Sequence, residues 1–159
     1  SGVLAMTPKR HGIQQLLDTA SAQAAPGAEA KAITLTVEPT DLTARFDPKW
    51  TAEALYNLVD NAVKYTPAGG AVTLRAVGYE LFCRVDVTDT GPGIPESEQA
   101  RIFQRFYRSP SASEAEGVGI GLYLARQIAA GQGGYLKVSS RPGEGSTFSL
   151  FLPRAEERT

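Results

Sequence analysis

The sequence predicts an α/β domain, and three observations carry that prediction. Apolar and polar residues alternate over Ile33, Leu35 and Val37, over Val72, Leu74 and Ala76, and over Leu81, Cys83, Val85 and Val87, the period of half-buried strands. Two further stretches place apolar residues at helical spacing: Leu55, Leu58, Val59 and Ala62 in one, Leu124, Ala125, Ile128 and Ala129 in the other. The 159 residues suffice for one domain with a real core and not for several.

The elements follow in order. Residues 9–24 predict a short connecting helix, with Ile13, Leu16, Leu17 and Ala20 on one side, ended by Pro26-Gly27. Residues 1–30 thus read as a helical linker, 31–154 as the main domain and 155–159 as a tail. The strand at 33–37 is expected to pair with 43–46 across the Pro39-Thr40-Asp41 turn. Asp47 then caps a helix with Pro48 in its first position, which runs to Tyr65 and stops at Thr66-Pro67-Ala68-Gly69-Gly70. Strands at 72–76 and 81–87 come next. Residues 90–116 form a long segment rich in Gly, Pro, Ser and charge, with a short helix at 96–103; inside a compact domain such a segment is usually a functional lid. A helix at 119–130 precedes a hairpin of 135–139 and 146–152 turning at Pro142-Gly143-Glu144-Gly145.

Composition excludes several function classes. A formal net charge of −1 gives no general reason to bind nucleic acid or an anionic membrane, so any anion site must be local. The lone Cys83 rules out an internal disulfide framework, and its place in an apolar strand suits a buried thiol in a reducing cytoplasm. No apolar run reaches about 18 residues and no charged-then-apolar leader opens the chain, which predicts neither a span nor a signal peptide.

Three clusters carry chemistry. On the helix after Asp47, Glu53, Asn57, Asp60, Asn61 and Lys64 form a polar stripe opposite the apolar one. A solvated face is the ordinary reading of such a stripe. Two asparagines one turn apart argue against it, because Asn is a mediocre helix former and a wet face gains nothing from the pair. Their amide oxygens suit a magnesium ion or its waters, with phosphates supplying most of the charge compensation, and Lys64 adds a point charge for phosphate.

The second cluster is Asp89-Thr90-Gly91-Pro92-Gly93-Ile94. Asp89 keeps the parity of the buried strand residues, so its carboxylate faces the core layer and requires a donor. A turn aspartate bonding the amides beyond it is one answer. The other is an adenine amino group, with Gly91 and Gly93 permitting close approach of a flat ligand. The third cluster, Gly117-Val118-Gly119-Ile120-Gly121-Leu122, stands where a helix begins, and it suits either a hinge or a phosphate-binding helix N-terminus. It fits neither the Walker pattern nor the dinucleotide fingerprint. Before it, Phe103-Gln104-Arg105-Phe106-Tyr107-Arg108 interleaves aromatics with arginines; Phe103 and Phe106 can pin the lid, while Arg105 and Arg108 can reach a terminal phosphate or solvent.

In this order the clusters resemble the N box, first glycine box, F box and second glycine box of the ATP-binding catalytic domain of bacterial sensor histidine kinases, and Gly143-Glu144-Gly145-Ser146-Thr147-Phe148 resembles the last glycine motif. The similarity spans about residues 33–152. It implies a Bergerat-type two-layer α/β sandwich, a mixed, mostly antiparallel sheet with helices on one face, holding ATP and Mg2+ between the asparagine helix and the lid. By the resemblance Asn61 is the magnesium ligand and Asn57 a supporting contact, Lys64 meets phosphate, Tyr65 lies against the nucleotide and Asp89 reads adenine. Gly91, Gly93 and Ile94 shape the base pocket. Gly117, Val118, Gly119, Ile120, Gly121 and Leu122 border the phosphates, and Arg105, Arg108 and Thr147 complete the set.

Two departures refine the implication. Gyrase-type and chaperone ATPases of this fold carry a glutamate four residues before the magnesium asparagine. Here that position is Asn57, whose amide cannot take a proton from water at neutral pH. The family's phosphoacceptor histidine stands on a dimerising helical hairpin and is typically followed by an acidic residue, whereas the sole His11 precedes Gly12 and reads as a surface residue of the connecting helix. The resemblance therefore implies a catalytic domain, monomeric in isolation, that phosphorylates a histidine on a separate dimerisation domain, from which residues 1–30 lead. The parent would be a membrane-anchored, cytoplasm-facing kinase serving a response regulator. A nucleotide-binding regulatory module without transferase activity and an anti-sigma-type serine kinase are the competing classes.

Overall fold

In a computed structural model, residues 4–104 and 121–154 are described. Strand β1 (Lys9–Gly12) leads directly into helix α1 (Ile13–Ala30); β2 (Thr34–Val37) and β3 (Thr43–Phe46) precede helix α2 (Pro48–Tyr65). A hairpin of β4 (Ala71–Gly78) and β5 (Phe82–Asp89), a one-turn α3 (Glu96–Gln99), helix α4 (Gly121–Gly131) and a hairpin of β6 (Tyr135–Ser140) and β7 (Ser146–Pro153) follow. The main sheet has the order β2-β4-β5-β7-β6. Only β2 on β4 is parallel; the other pairs are antiparallel. This is the mixed, mostly antiparallel sheet of the expected α/β sandwich.

Parity sorts the sheet into two faces. Cys83, Val85, Val87 and Asp89 of β5 and Ser146, Phe148, Leu150 and Leu152 of β7 are buried beneath the helices. The opposite face carries polar ladders: Thr88 Oγ1 bonds Thr147 Oγ1 at 3.0 Å, and Asp86 accepts from Arg84 Nε at 2.9 Å and from Ser149 Oγ at 2.7 Å. Burial in apolar surroundings pushes the Cys83 thiol up to about 11. Leu81, expected on the buried stripe, instead sits before β5 and is 71% exposed.

The first third of the chain departs from expectation. Residues 9–12 are a strand, and Thr43–Phe46 pairs with it, not with β2, in a separate two-stranded sheet with Lys9 opposite Phe46 and Gly12 opposite Thr43. Strand β2 finds its partner in β4, Leu35 opposite Val72. His11 therefore lies on β1, its ring 5.4 Å from that of Phe46, and not on a helix. Helix α1 also runs through Pro26-Gly27 to Ala30. Proline removes one helical hydrogen bond, but Ala20, Ala24 and Ala28 continue a buried stripe on either side of it, and this packing outweighs the break. Ile13, Leu16 and Leu17 join the same core as Leu55, Leu58 and Val59 of α2. The short helix expected at 96–103 closes after Gln99, and Ile102 and Phe103 beyond it are buried.

Helix α2 starts as expected. Asp47 accepts from the Trp50 N–H at 3.0 Å, with Pro48 in the first position. Its second oxygen accepts from Thr7 N–H at 2.7 Å, and the Trp50 indole N–H donates to the Ala5 carbonyl, which straps the N-terminal segment over the helix start. Burial acts to raise the Asp47 pKa, but the amides of Thr7, Trp50 and Lys49 and the Lys49 charge outweigh it and hold the carboxyl below its ordinary 3.8. A lowered carboxylate contributes stability above its ordinary value and loses it as pH falls through the depressed one. Asp47→Ala is expected to cost about 1–2 kcal/mol at neutral pH. Denaturant titrations should show that penalty shrinking below about pH 4; a pH-independent penalty would contradict the charged cap.

Candidate functional site

The site is built where three elements meet around one face of α2. Alternation of apolar residues commits Leu55, Leu58, Val59 and Ala62 to the core, which turns Glu53, Asn57, Asp60, Asn61 and Lys64 the other way. Asn57 and Asn61 are half-buried and Glu53 and Lys64 exposed. Lys64 Nζ is 3.1 Å from Asp60 Oδ2, an i,i+4 pair on a partly exposed surface. Tyr56 flanks this pair; burial and the Asp60 charge raise its pKa.

Helix α4 brings the glycine run to the asparagines. Its far end is tied to the start of α2, because Gln132 accepts from Asp47 N–H at 2.6 Å and donates to Thr51 Oγ1 at 2.8 Å. The two helices therefore run antiparallel, and the α4 N-terminus falls against the middle of α2. There a Cβ on Gly121 would stand 3.6 Å from Asn57 Cγ. Leu122 packs partly buried against the core. The first described turn of α4 is thus set beside a polar carboxamide. Of the remaining glycine-run and lid candidates, Gly117, Val118, Gly119, Ile120, Arg105, Arg108 and Phe106 lie outside the described residues. Phe103 is described and does pin its segment, edge-on to Phe148 with ring centroids 6.0 Å apart.

The third element is the loop after β5. Asp89 is 8% exposed, and its Oδ1 accepts from Gly91 N–H at 2.8 Å. The turn-aspartate bond is present, then, and the carboxylate is still largely desolvated: burial raises its pKa, opposed by the amides of Gly91 and Ser146. Gly91 is closely hemmed, since a Cβ there would stand 3.0 Å from Asp89 Oδ1 and 3.2 Å from the Tyr65 carbonyl. The loop therefore rests on the C-terminal end of the asparagine helix. Gly93 has φ 82° and its Cβ would fall 2.1 Å from the Arg141 carbonyl, so only glycine fits.

Sequence reading missed what braces this loop. Ile94 N–H donates to Ser140 Oγ at 2.7 Å, Gln99 Nε2 donates to both the Ile94 and Ser140 carbonyls, and Gly143 N–H donates to the Pro92 carbonyl. The β6–β7 turn is thereby latched to the 91–94 loop. Thr147 is turned away from the site, onto the outer face with Thr88. Ser146 is the residue opposite Asp89 on the inner face, and the buried parity of Phe148, Leu150 and Leu152 was the signal that could have found it.

Asn57 and Asn61 supply neutral oxygens on one face, Gly121 at the first described turn of α4 lies beside Asn57, and a buried carboxylate lies at the far end of the same helix. Among the described residues no three His, Cys, Asp or Glu side chains cluster as a metal cage, and none is required of an ion ligated mainly by phosphate oxygens. The residues fit magnesium and a nucleoside triphosphate.

Known proteins resemble this chain over most of its length. Residues 46–156 match the family described as "Histidine kinase-, DNA gyrase B-, and HSP90-like ATPase". The chain is 44% identical over 117 residues to the adaptive-response sensory kinase SasA of Synechococcus sp. (strain JA-3-3Ab), covering 72% of this chain and 31% of that protein. It is 37% identical over 159 residues to the sensor protein DivL of Caulobacter vibrioides, covering 99% of this chain and 20% of that protein. The chain thus spans a third or less of these relatives. Its fold is similar to that of the mycobacterial sensor histidine kinase MprB, with TM-score 0.80, 27% identity and coverage of 94% of this chain and 100% of that one. It is also similar to full-length ShkA in complex with AMPPNP, with TM-score 0.82 and 28% identity, covering 98% of this chain and 34% of that one.

Proposed function

The chain belongs to the histidine kinase-, DNA gyrase B- and HSP90-like ATPase family, and on that footing we propose that it is the ATP-binding catalytic domain of a two-component sensor histidine kinase. It binds Mg-ATP and donates the γ-phosphoryl group to a histidine on a separate domain. The observation that carries this reading is the seating of the α4 N-terminus against Asn57, with the Asp89–Gly91 loop at the other end of the same helix face.

In this reading Asp89 accepts from the adenine amino group, Gly91, Gly93 and Ile94 shape the base pocket, and Tyr65 lies against the nucleotide. Asn61 ligates magnesium, supported by Asn57, and Lys64 exchanges its Asp60 partner for phosphate. When bound, magnesium neutralises phosphate charge. The 117–122 run borders the phosphates, and Arg105 and Arg108 approach the terminal one. Because Asn57 offers an amide where hydrolytic relatives carry a glutamate, water is not activated, and transfer depends on positioning a nucleophile brought by another domain. Residues 1–30 lead from that dimerisation and phosphoacceptor domain. The parent kinase is anchored in the cell membrane, faces the cytoplasm and serves a response regulator; among the described residues no helix is long and apolar enough to cross a membrane.

Asn61→Ala tests the phosphate end. Asn61 lies on the polar stripe and removes no core packing, so the variant is expected to melt as the wild type without nucleotide and to lose most of the magnesium-dependent stabilisation by ATP. A wild-type shift with Mg-ATP would remove Asn61 from the metal complex. A wild type with no ATP shift at all would overturn the functional reading.

A further inference from the structure

The loop after β5 has little of its own to hold it. Gly91-Pro92-Gly93 carries no side chain able to hydrogen-bond, and its two glycines have more backbone freedom to lose on ordering than any other residue would. The Gly91 N–H bond to Asp89 Oδ1 is local, spanning two residues. The rest of the support comes from a distance. Gly143 N–H donates to the Pro92 carbonyl at 2.6 Å, Ile94 N–H donates to Ser140 Oγ at 2.7 Å, and the Gly93 backbone lies so near the Arg141 carbonyl that no side chain fits between them.

Two side chains organise that support. A serine hydroxyl has one proton and two lone pairs. Ser140 gives its proton to the Gly145 carbonyl at 2.9 Å and accepts from Ile94 N–H, so its 2.8 Å contact with Ser146 Oγ is donated from Ser146. Every position on that oxygen is used. Ser146 in turn stands opposite Asp89 on β5, which puts the oxygen that fixes the loop one bond away from the residue facing the carboxylate. Gln99 closes the arrangement. Both protons of its amide are taken, by the Ile94 carbonyl at 2.9 Å and the Ser140 carbonyl at 3.0 Å, so one group pins the loop and the strand end that supports it. Gln99 is half-buried on the one-turn α3 and is not part of the hydrophobic core.

We propose that Gln99 and Ser140 are positioning residues of the base pocket, which hold the 91–94 loop in place beside Asp89 and act through that loop without contacting the ligand. The inference deepens the nucleotide-binding reading and rests on it. Asp89 is itself fixed by the ladders of β5 with β4 and β7, whereas the glycines that admit a flat ligand beside it belong to the loop. A loop that samples several positions offers the binding-competent one for only a fraction of the time, and apparent affinity falls by that fraction. The brace therefore works by preorganisation. Its effect is the same for every nucleotide that uses the base pocket, whatever the length of the phosphate chain at the Asn57 end.

Calorimetric titrations of wild type, Gln99→Met, Ser140→Ala and the double variant with Mg-ATP and with Mg-ADP test this. Methionine keeps the length of glutamine and removes both donors. Each single variant is expected to weaken ATP and ADP by the same factor, about tenfold, and the double variant to bind little worse than the weaker single one, because both side chains act through one loop. Without nucleotide, amide hydrogen exchange at Ile94 and Gly143 should quicken in Gln99→Met while the amides of β5 and β7 keep wild-type rates. A Gln99→Met protein with wild-type affinity for both nucleotides overturns the proposal. So does a loss confined to ATP, which places the effect at the phosphates, and so do additive losses in the double variant. Faster exchange throughout β5 and β7 would mean a general loosening of the fold and would overturn it as well. If the wild type binds neither nucleotide, the nucleotide reading itself fails; if it binds both and the variants match it, only the positioning role fails.

Discussion

Asp89→Ala is expected to remove about a hundredfold or more of the affinity for ATP, the effect of deleting a desolvated charged acceptor. The carboxylate is buried and continues the inner parity of β5, so the amino group it would accept from has no water to replace it. Asp89→Asn is the sharper variant. Its amide oxygen can keep the Gly91 bond, while its NH2 faces the base and accepts nothing, so ATP should weaken and the preference over GTP should narrow.

The pH dependence follows from the same burial. Burial holds the Asp89 pKa above its ordinary 3.8. A raised carboxyl favours the folded protein while protonated, and that contribution is lost as pH rises through the raised value. Binding runs the other way, because the ionised carboxylate is the stronger acceptor and carries no O–H facing the amino donor. On acidification, ATP affinity is therefore expected to decline at a higher pH than an ordinary aspartate would produce, and Asp89→Asn should show a smaller decline, that of ATP's own protonation. Equal ATP and GTP affinity in the wild type, or an Asp89→Ala protein that titrates like it, would remove Asp89 from the base pocket.

Much of this site was legible because its signals are local. Asn57 and Asn61 betray themselves by being poor helix formers on a strongly amphipathic helix, and Asp89 by a polar end on an apolar strand. What failed were pairings between distant segments. The alternation over Thr43–Phe46 announces a strand but not its partner, and β1 has no apolar alternation at all, being held by its pairing with β3, where the His11 ring lies against Phe46. Pro26 reads as a stop from backbone chemistry alone; a buried alanine stripe on both sides of it decides otherwise. The latch of Ser140 on Ile94 and Gln99 joins residues 46 and 41 apart in sequence, and no local pattern announces it.

The second large effect is an absence of activity in the isolated chain. Asn57 cannot serve as a base toward water. His11 lies on the β1–β3 ribbon that precedes the start of α2, whereas Asn61 stands three to four helical turns further on, about 20 Å along the axis. Neither water nor the chain's own histidine is positioned for attack, and proximity has to come from a separate domain. The deciding measurement is incubation of the purified chain with γ-labelled ATP, with and without an added dimerisation domain carrying the histidine hairpin, following both protein label and free phosphate. The expected result is slow phosphate release and no labelling of the chain alone, with label appearing on the hairpin histidine once that domain is added. Robust labelling of His11 in the chain alone, or rapid phosphate release that Asn61→Ala abolishes, would contradict it.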